Sequence, residues 1–266
     1  MAAVSQGLVE FANRFRQPPA PGIEVIDTGR YRLTLQPDYP NPGPNSAAWI
    51  RCREDQADAV IAEVREEVRR RRLPLMWVLD PETEPATFAD RLAAHGIRPE
   101  PHSTEVAVLV LPADTRVEGV EVSGLELRDA LADPESFRQA DAVNAGAFGD
   151  KPREAAAQER RRRNQLQAGN RRLLLAMLDG EPAGSAGLTL YPPAGGIING
   201  GAVLERFRGR GVYRAMVAAR LEMAREAGVP GVSVWGGPMS RPILTRLGFE
   251  QVGWRRFYLD ETPLGE

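Results

Sequence analysis

The residues with the clearest chemical use lie between Asn199 and Tyr213, in the stretch N-G-G-A-V-L-E-R-F-R-G-R-G-V-Y. An apolar run, Ile197 to Leu204, ends in an arginine- and glycine-rich turn, Arg206 to Gly211. An amphipathic helix pattern follows at once, from Val212 to Ala227. Glycines let a backbone turn tightly and present its N–H groups. The first turn of a helix adds unpaired N–H groups and the positive end of the macrodipole. Strand, glycine loop and helix start together make a cradle for a phosphate. Two polar side chains flank the cradle. Glu205 has the chemistry of a base, and Asn199 is placed to hold a water or a substrate amine.

The common phosphate loops can be tested against these letters. A Walker loop needs Lys followed by Ser or Thr after its last glycine, and none is present. A dinucleotide fingerprint needs a third glycine where Arg214 stands. What remains is Arg-x-x-Gly-x-Gly/Ala, read from Arg208 through Gly211 to Tyr213. This resembles the loop of the GNAT superfamily, the acyl-CoA-dependent N-acyltransferases. A second register, R-F-R-G-R-G from Arg206, also fits. The Arg208 register keeps the family's spacing from Val203 and to Met216 and Val217, the first core positions of the helix. Downstream, G-V-S-V-W (231–235) resembles the next strand, and R-P-I-L-T-R-L-G-F (241–249) the short helix closed by L-G-F. E-Q-V-G-W-R-R-F-Y-L (250–259) resembles the closing strand.

The resemblance implies a GNAT fold: an α/β (α+β) domain with a mixed, mostly antiparallel sheet flanked by helices. It implies that acyl-CoA, most simply acetyl-CoA, binds with its pyrophosphate on the backbone of Arg208, Gly209, Arg210, Gly211, Val212 and Tyr213. The pantetheine arm would run along Ala202, Val203 and Leu204. A main-chain N–H near Val203 would polarise the thioester carbonyl, an amine would attack directly, and CoA would leave as a thiol. No metal is implied. Tyr213 stands where the family usually has Gly or Ala, and its side chain is expected to point away from the phosphates. Relatives often carry an acidic Tyr five residues before the Phe of L-G-F, which here is Leu244. Their Asn near the start of this helix falls at Gly237. Glu205 and Asn199 are therefore the catalytic candidates, with a solvated strand-end charge as the plain reading of Glu205. Tyr191 and Tyr258 read as packing residues, and Trp235 as either an acyl-pocket wall or a core aromatic. The second class of function is an acyl-CoA-binding sensor or scaffold without turnover.

Composition narrows the alternatives. The chain has 266 residues, enough for two modest domains, and a formal net charge of −2. That charge supplies no field to recruit nucleic acid or an anionic membrane. No apolar run reaches membrane-spanning length, and the first ten residues lack a signal-peptide pattern. Cys52 is the single cysteine, and His95 and His102 are the only histidines. An intrachain disulfide therefore cannot form, a thiolate or histidine zinc site is disfavoured and a cytoplasmic location is expected. The expected partner is a small-molecule or peptide amine, and a homodimer is compatible with the sequence. Two arginine runs, Arg69–Arg72 and Arg160–Arg163, read as solvated helix faces.

The pattern along the chain suggests a worn duplication. In the C-terminal half, 120–130 reads as a strand, Pro134–Phe148 and Arg153–Ala168 as helices, with Asp133 as N-cap. Arg172–Leu178 and Pro182–Tyr191 read as a hairpin about Asp179-Gly180, followed by a Pro/Gly loop over 192–196. The N-terminal half repeats the later elements: strand Ala47–Cys52, helix Asp55–Arg72, strand Leu75–Leu79, short helix Thr87–His95 and strand Glu105–Leu111. No glycine lies between Ala47 and Ile61, so the echo has no phosphate loop. The expected domains are a degenerate GNAT-like lobe, 1–113, with an unrelated α/β lobe as its alternative, and a GNAT acyltransferase domain, 117–266, joined by Pro112–Glu118.

Overall fold

The computed structural model describes residues 3–118, 121–149 and 153–261; the first residue of the strand expected from Val120 lies outside them. The helices are α1 (Gln6–Arg14), α2 (Ala57–Arg71), α3 (Phe88–Ala94), α4 (Pro134–Phe148), α5 (Ala155–Ala168), α6 (Val212–Glu226) and α7 (Arg241–Arg246). The strands are β1 (Glu24–Asp27), β2 (Arg32–Leu35), β3 (Ser46–Ala48), β4 (Leu75–Leu79), β5 (Arg98–Pro99) and β6 (Glu105–Pro112). They continue with β7 (Leu125–Asp129), β8 (Arg171–Leu178), β9 (Glu181–Tyr191), β10 (Gly195–Val203), β11 (Gly231–Gly236) and β12 (Glu250–Asp260). Among the described residues no helix is long and apolar enough to cross a membrane.

The chain divides into two compact units that exchange segments. One comprises 1–15, 108–235 and 242–252, and the other comprises 16–107, 236–241 and 253–266. A linear reading of the sequence puts a boundary at 113–117; the division found here instead gives α1 to the larger unit and most of β12 to the smaller. Each unit is thus completed by chain from the other half of the sequence.

In the larger unit the strand order is β7-β8-β9-β10-β11-β6. The pairings from β7 to β10 are antiparallel, and β10 pairs with β11 in parallel. The strand R-R-L-L-L-A-M-L of β8 shows why both faces are covered. Leu174, Ala176 and Leu178 pack with Val212 and Met216 of α6. Leu175 and Met177 pack with Ala140 and Val143 of α4, with Leu173 against the same cluster. A strand buried on both faces reads as a continuous apolar run. Burying each such leucine contributes roughly 1.5–3 kcal/mol relative to exposure. The hairpin between β8 and β9 turns through Asp179 (φ 54°) and Gly180 (φ 83°), as a two-residue type I′ turn requires. Asp133 caps α4 by accepting from the Ser136 N–H at 2.9 Å.

The smaller unit repeats the pairing scheme: β1/β2 and β2/β3 antiparallel, β3/β4 parallel, then β12 antiparallel to β4. Its core gathers Leu33, Leu35, Ala47, Val60, Ile61, Val64, Trp77, Phe88, Leu92 and Tyr258. The strands β1 and β2 extend the echo beyond what periodicity reveals, because four-residue strands leave too few letters for a period-2 signal. Where β10 is followed by a glycine loop, β3 is followed by Trp49–Arg53 and a 3₁₀ turn, Glu54–Gln56.

The arginine runs divide. Arg69 and Arg70 are exposed and pair with Glu66 and Glu67 along their own helix. In α5, by contrast, Arg161 turns inward to Asp141 at 2.5 Å, and Arg162 donates to the carbonyl of Leu131 at 2.9 Å. The second run is therefore partly a packing element and not wholly a solvated face.

Candidate active site

The site is built on β10. Its register with β9 is regular from Gly195↔Tyr191 to Asn199↔Gly187, then resumes at Ala202↔Ser185. Between them Gly200 and Gly201 stand opposite the single residue Ala186, which makes a β-bulge. Gly200 adopts φ 57°, a conformation that side chains resist. Asn144 of α4 donates its Nδ2 to the Gly200 carbonyl at 3.2 Å and so holds the bulge from one face.

On its other side β10 meets β11 only at Gly196↔Val232 and Ile197↔Ser233 in the described pairing. Beyond Ile197 the two strands part. A parted strand edge offers N–H and C=O groups to an extended ligand, as an added strand would use them. Ala202 and Val203 lie on this stretch, and Leu204 follows at its end.

A 3₁₀ turn, Glu205–Phe207, leads from the strand into the loop. Gly209 and Gly211 both take left-handed conformations, φ 76° and 84°. Gly211 is the N-cap of α6, and no side chain caps that helix. The orphan N–H groups at Val212 and Tyr213 therefore face outward from the helix start. Arg208 is extended and donates Nε to the Val203 carbonyl at 3.3 Å, tying the loop to the strand end. Arg206 and Arg210 reach back to the β8–β9 hairpin, pairing with Glu181 at 3.0 Å and Asp179 at 2.7 Å. These pairs are exposed, so they orient the loop more than they stabilise it. The glycine at 184 lets α6 approach: a Cβ there would lie 2.8 Å from Met216 Cε.

The remaining candidates are placed as follows. Glu205 is exposed, one turn beyond the strand. Asn199 accepts from Arg171 and reaches Thr189 Oγ1 at 3.4 Å, so its amide is engaged within the sheet. Tyr191 stacks with Phe15 at 4.3 Å and Phe11 at 6.3 Å, and burial pushes its phenol pKa up. Tyr258 belongs to the core of the smaller unit. Trp235 is 47% exposed at the end of β11 and is no core aromatic. Leu244 is 0% exposed, a packing residue of α7. Among the described residues no group of three or more His, Cys, Asp or Glu side chains is placed to hold a metal ion.

Tyr213 is tucked inward, and its Cε2 lies 3.1 Å from where a Gly201 Cβ would be; the residue the sequence did not point to is its neighbour. Beside it Arg220 of α6 is fully buried. Its Nε donates to the Met216 carbonyl at 3.0 Å and its Nη1 to the Gly187 carbonyl at 3.2 Å. Burial, with the nearby Arg171 charge opposing too, pushes its pKa down to about 10. Burial likewise raises the Tyr213 phenol, against the favourable influence of Arg220. A readable signal existed. Val212, Met216 and Arg220 follow i, i+4, i+8, so a charge stands in the apolar stripe of the helix.

Comparisons with known proteins agree with this layout. Residues 136–249 match the family model described as Acetyltransferase (GNAT) family. No curated protein matches the sequence. Among solved structures, a GCN5-related N-acetyltransferase from Kribbella flavida is similar at TM-score 0.64 and 18% identity, over 90% of each chain. A functionally unknown conserved protein from Staphylococcus epidermidis is similar at TM-score 0.66 and 14% identity, over 91% of this chain and 95% of that one. A tandem GNAT protein from the clavulanic acid biosynthesis pathway is similar at TM-score 0.57 and 18% identity, over 91% and 84%. At such identities these likenesses establish the fold.

Proposed function

We propose that the chain, whose residues 136–249 match the Acetyltransferase (GNAT) family model, is an acyl-CoA-dependent N-acyltransferase of the GNAT superfamily. The observation that carries the proposal is the joint geometry of β10 and α6. A bulged strand parts from its parallel neighbour and runs into two left-handed glycines at an uncapped helix start.

In this reading the backbone from Arg208 to Tyr213 holds the pyrophosphate of acetyl-CoA. The edge over Ala202, Val203 and Leu204 orients the pantetheine arm. The bound thioester supplies the activated acyl group. The chain contributes position, a main-chain N–H near Val203 for the carbonyl oxygen, and a route for the ammonium proton. The acceptor is a small-molecule or peptide amine, and the setting is the cytoplasm. Glu205 is the one carboxylate in the segment 195–213, and we assign it the proton. It is solvated, so water shares the task. Glu205→Gln is expected to lower the amine-dependent rate about tenfold, below the usual contribution of a buried base, with CoA affinity unchanged. A full-rate variant with an unaltered pH profile would remove Glu205 from the mechanism.

Calorimetric titration with acetyl-CoA tests the reading directly. One equivalent per chain is expected, because the smaller unit has no glycine between β3 and α2. Two equivalents would refute the assignment of that lobe as degenerate. The buried Leu244, in the position where relatives often have an acid, favours a second reading: an acyl-CoA sensor that does not turn over. Thiol release that depends on added amine, across a panel of amines, selects the enzyme; binding without release selects the sensor.

A further inference from the structure

Arg220 is a buried charge without an opposite charge. Its Nη2 has no hydrogen-bond partner in the protein, and both bonds from its other nitrogens go to neutral carbonyls. The charged and polar groups that act on it are the Tyr213 phenol, which stands within reach of a side-chain hydrogen bond, and Arg171, and neither is a carboxylate. A guanidinium removed from water in this way is costly unless an anion joins it. Core packing alone would be served better by a leucine at this position of the apolar stripe.

The place is informative. A Cβ at Gly201 would lie 3.6 Å from Nη2 and 3.7 Å from Nη1, so the guanidinium sits directly behind the bulge of β10. Arg171 reaches the same stretch of strand through Asn199 and Thr189. Two guanidiniums thus bias one short segment toward negative charge. The parted edge of β10 beyond Ile197 is the approach to it. Gly200 and Gly201 carry no side chain themselves, and the Tyr213 ring, 3.1 Å from a Gly201 Cβ, lines the space beside the guanidinium. A carboxylate takes two N–H bonds from a guanidinium in a planar fork, which an amide or a methyl cannot reproduce.

We propose that one reactant of this enzyme carries a carboxylate, on the acyl group or on the amine, and that Arg220 receives it at the β10 bulge. The inference rests on the acyltransferase reading and adds the substrate class. Thiol release by the full chain would be measured in two series. The first compares acetyl-, propionyl-, malonyl- and succinyl-CoA with one amine. The second compares amino acids with their amides, using acetyl-CoA. One series should show kcat/KM higher for the carboxylate member by roughly tenfold to a hundredfold, the range expected for charged hydrogen bonds. The series that responds identifies the source. Arg220→Met should abolish that preference while calorimetry shows CoA itself still bound. Arg220→Lys keeps the charge and, should the Met variant fail to fold, is expected to retain the sign of the preference with a smaller ratio. Absence of preference in both wild-type series would overturn the proposal, as would a preference that Arg220→Met leaves unchanged. Failure of the wild-type chain to bind CoA would instead sink the acyltransferase reading, and this inference with it.

Discussion

Gly211→Asp is expected to weaken acetyl-CoA binding about a hundredfold, or roughly 2.7 kcal/mol. Three effects act in the same direction. Gly211 holds φ 84° at the N-cap of α6, where its N–H would belong to the proposed cradle. A Cβ there would lie 2.9 Å from Val122 Cγ2, so the loop must shift. The carboxylate would also face a diphosphate, and two like charges about 4 Å apart repel by about 4 kcal/mol at the effective dielectric of a protein surface. Asp tolerates the left-handed region better than most residues, so the fold should persist. Gly211→Asn separates charge from shape, since it has nearly the same size and no charge. Calorimetry should show Asn losing much less affinity than Asp. Equal losses would assign the effect to backbone strain, and no loss in either would remove this loop from the site.

Asp141→Ala is expected to destabilise the fold by about 3–5 kcal/mol. Asp141 of α4 has only 4% of its side chain exposed and accepts from three donors of the α5 region. Arg153 Nη1 stands at 2.9 Å, Arg161 Nη1 at 2.5 Å and Gln158 Nε2 at 3.0 Å. The two arginine side chains are 7% and 10% exposed. Removing the carboxylate leaves two guanidiniums buried beside each other without their shared anion. Such a vacancy costs far more than the pair itself contributes, because desolvation remains while the attraction is gone. Urea unfolding followed by circular dichroism measures the loss. A midpoint unchanged from wild type would show that water reaches the cluster and that its burial is not what holds α5 in place.

The glycine loop and the elements around it were legible because each announces itself locally. The loop R-G-R-G needs glycine for its backbone angles, the helix after it has its own apolar stripe, and the pair Asp179-Gly180 turns a hairpin by itself. The helix Pro134–Phe148 and its Asp133 cap were legible for the same reason: the cap and the pattern lie within a few residues of each other. Elements whose stability is borrowed were not. The strands β1 and β2 are four residues each, and they exist because β2 pairs with β3 and β1 with β2. The inward turn of Arg161 depends on where Asp141 stands, twenty residues away, and that of Arg162 on the carbonyl of Leu131, thirty-one residues away.

By itself the sequence determined the glycine loop, the helix that follows it and the resemblance that names the fold, because period, caps and turn residues act over a few positions. The chain's two-fold echo was also written in its order of elements, together with the lack of a glycine between β3 and α2. Only the tertiary structure decided that β10 bulges at Gly200 and parts from β11, because register is a property of two strands. It decided that chain segments are exchanged between the units. It decided that Tyr213 folds under the loop against Gly201, and that Arg220 reaches the bulge with one nitrogen unpaired. A side chain's partners are set by packing across distant segments, and an arginine in an apolar stripe reads in one dimension only as an irregularity.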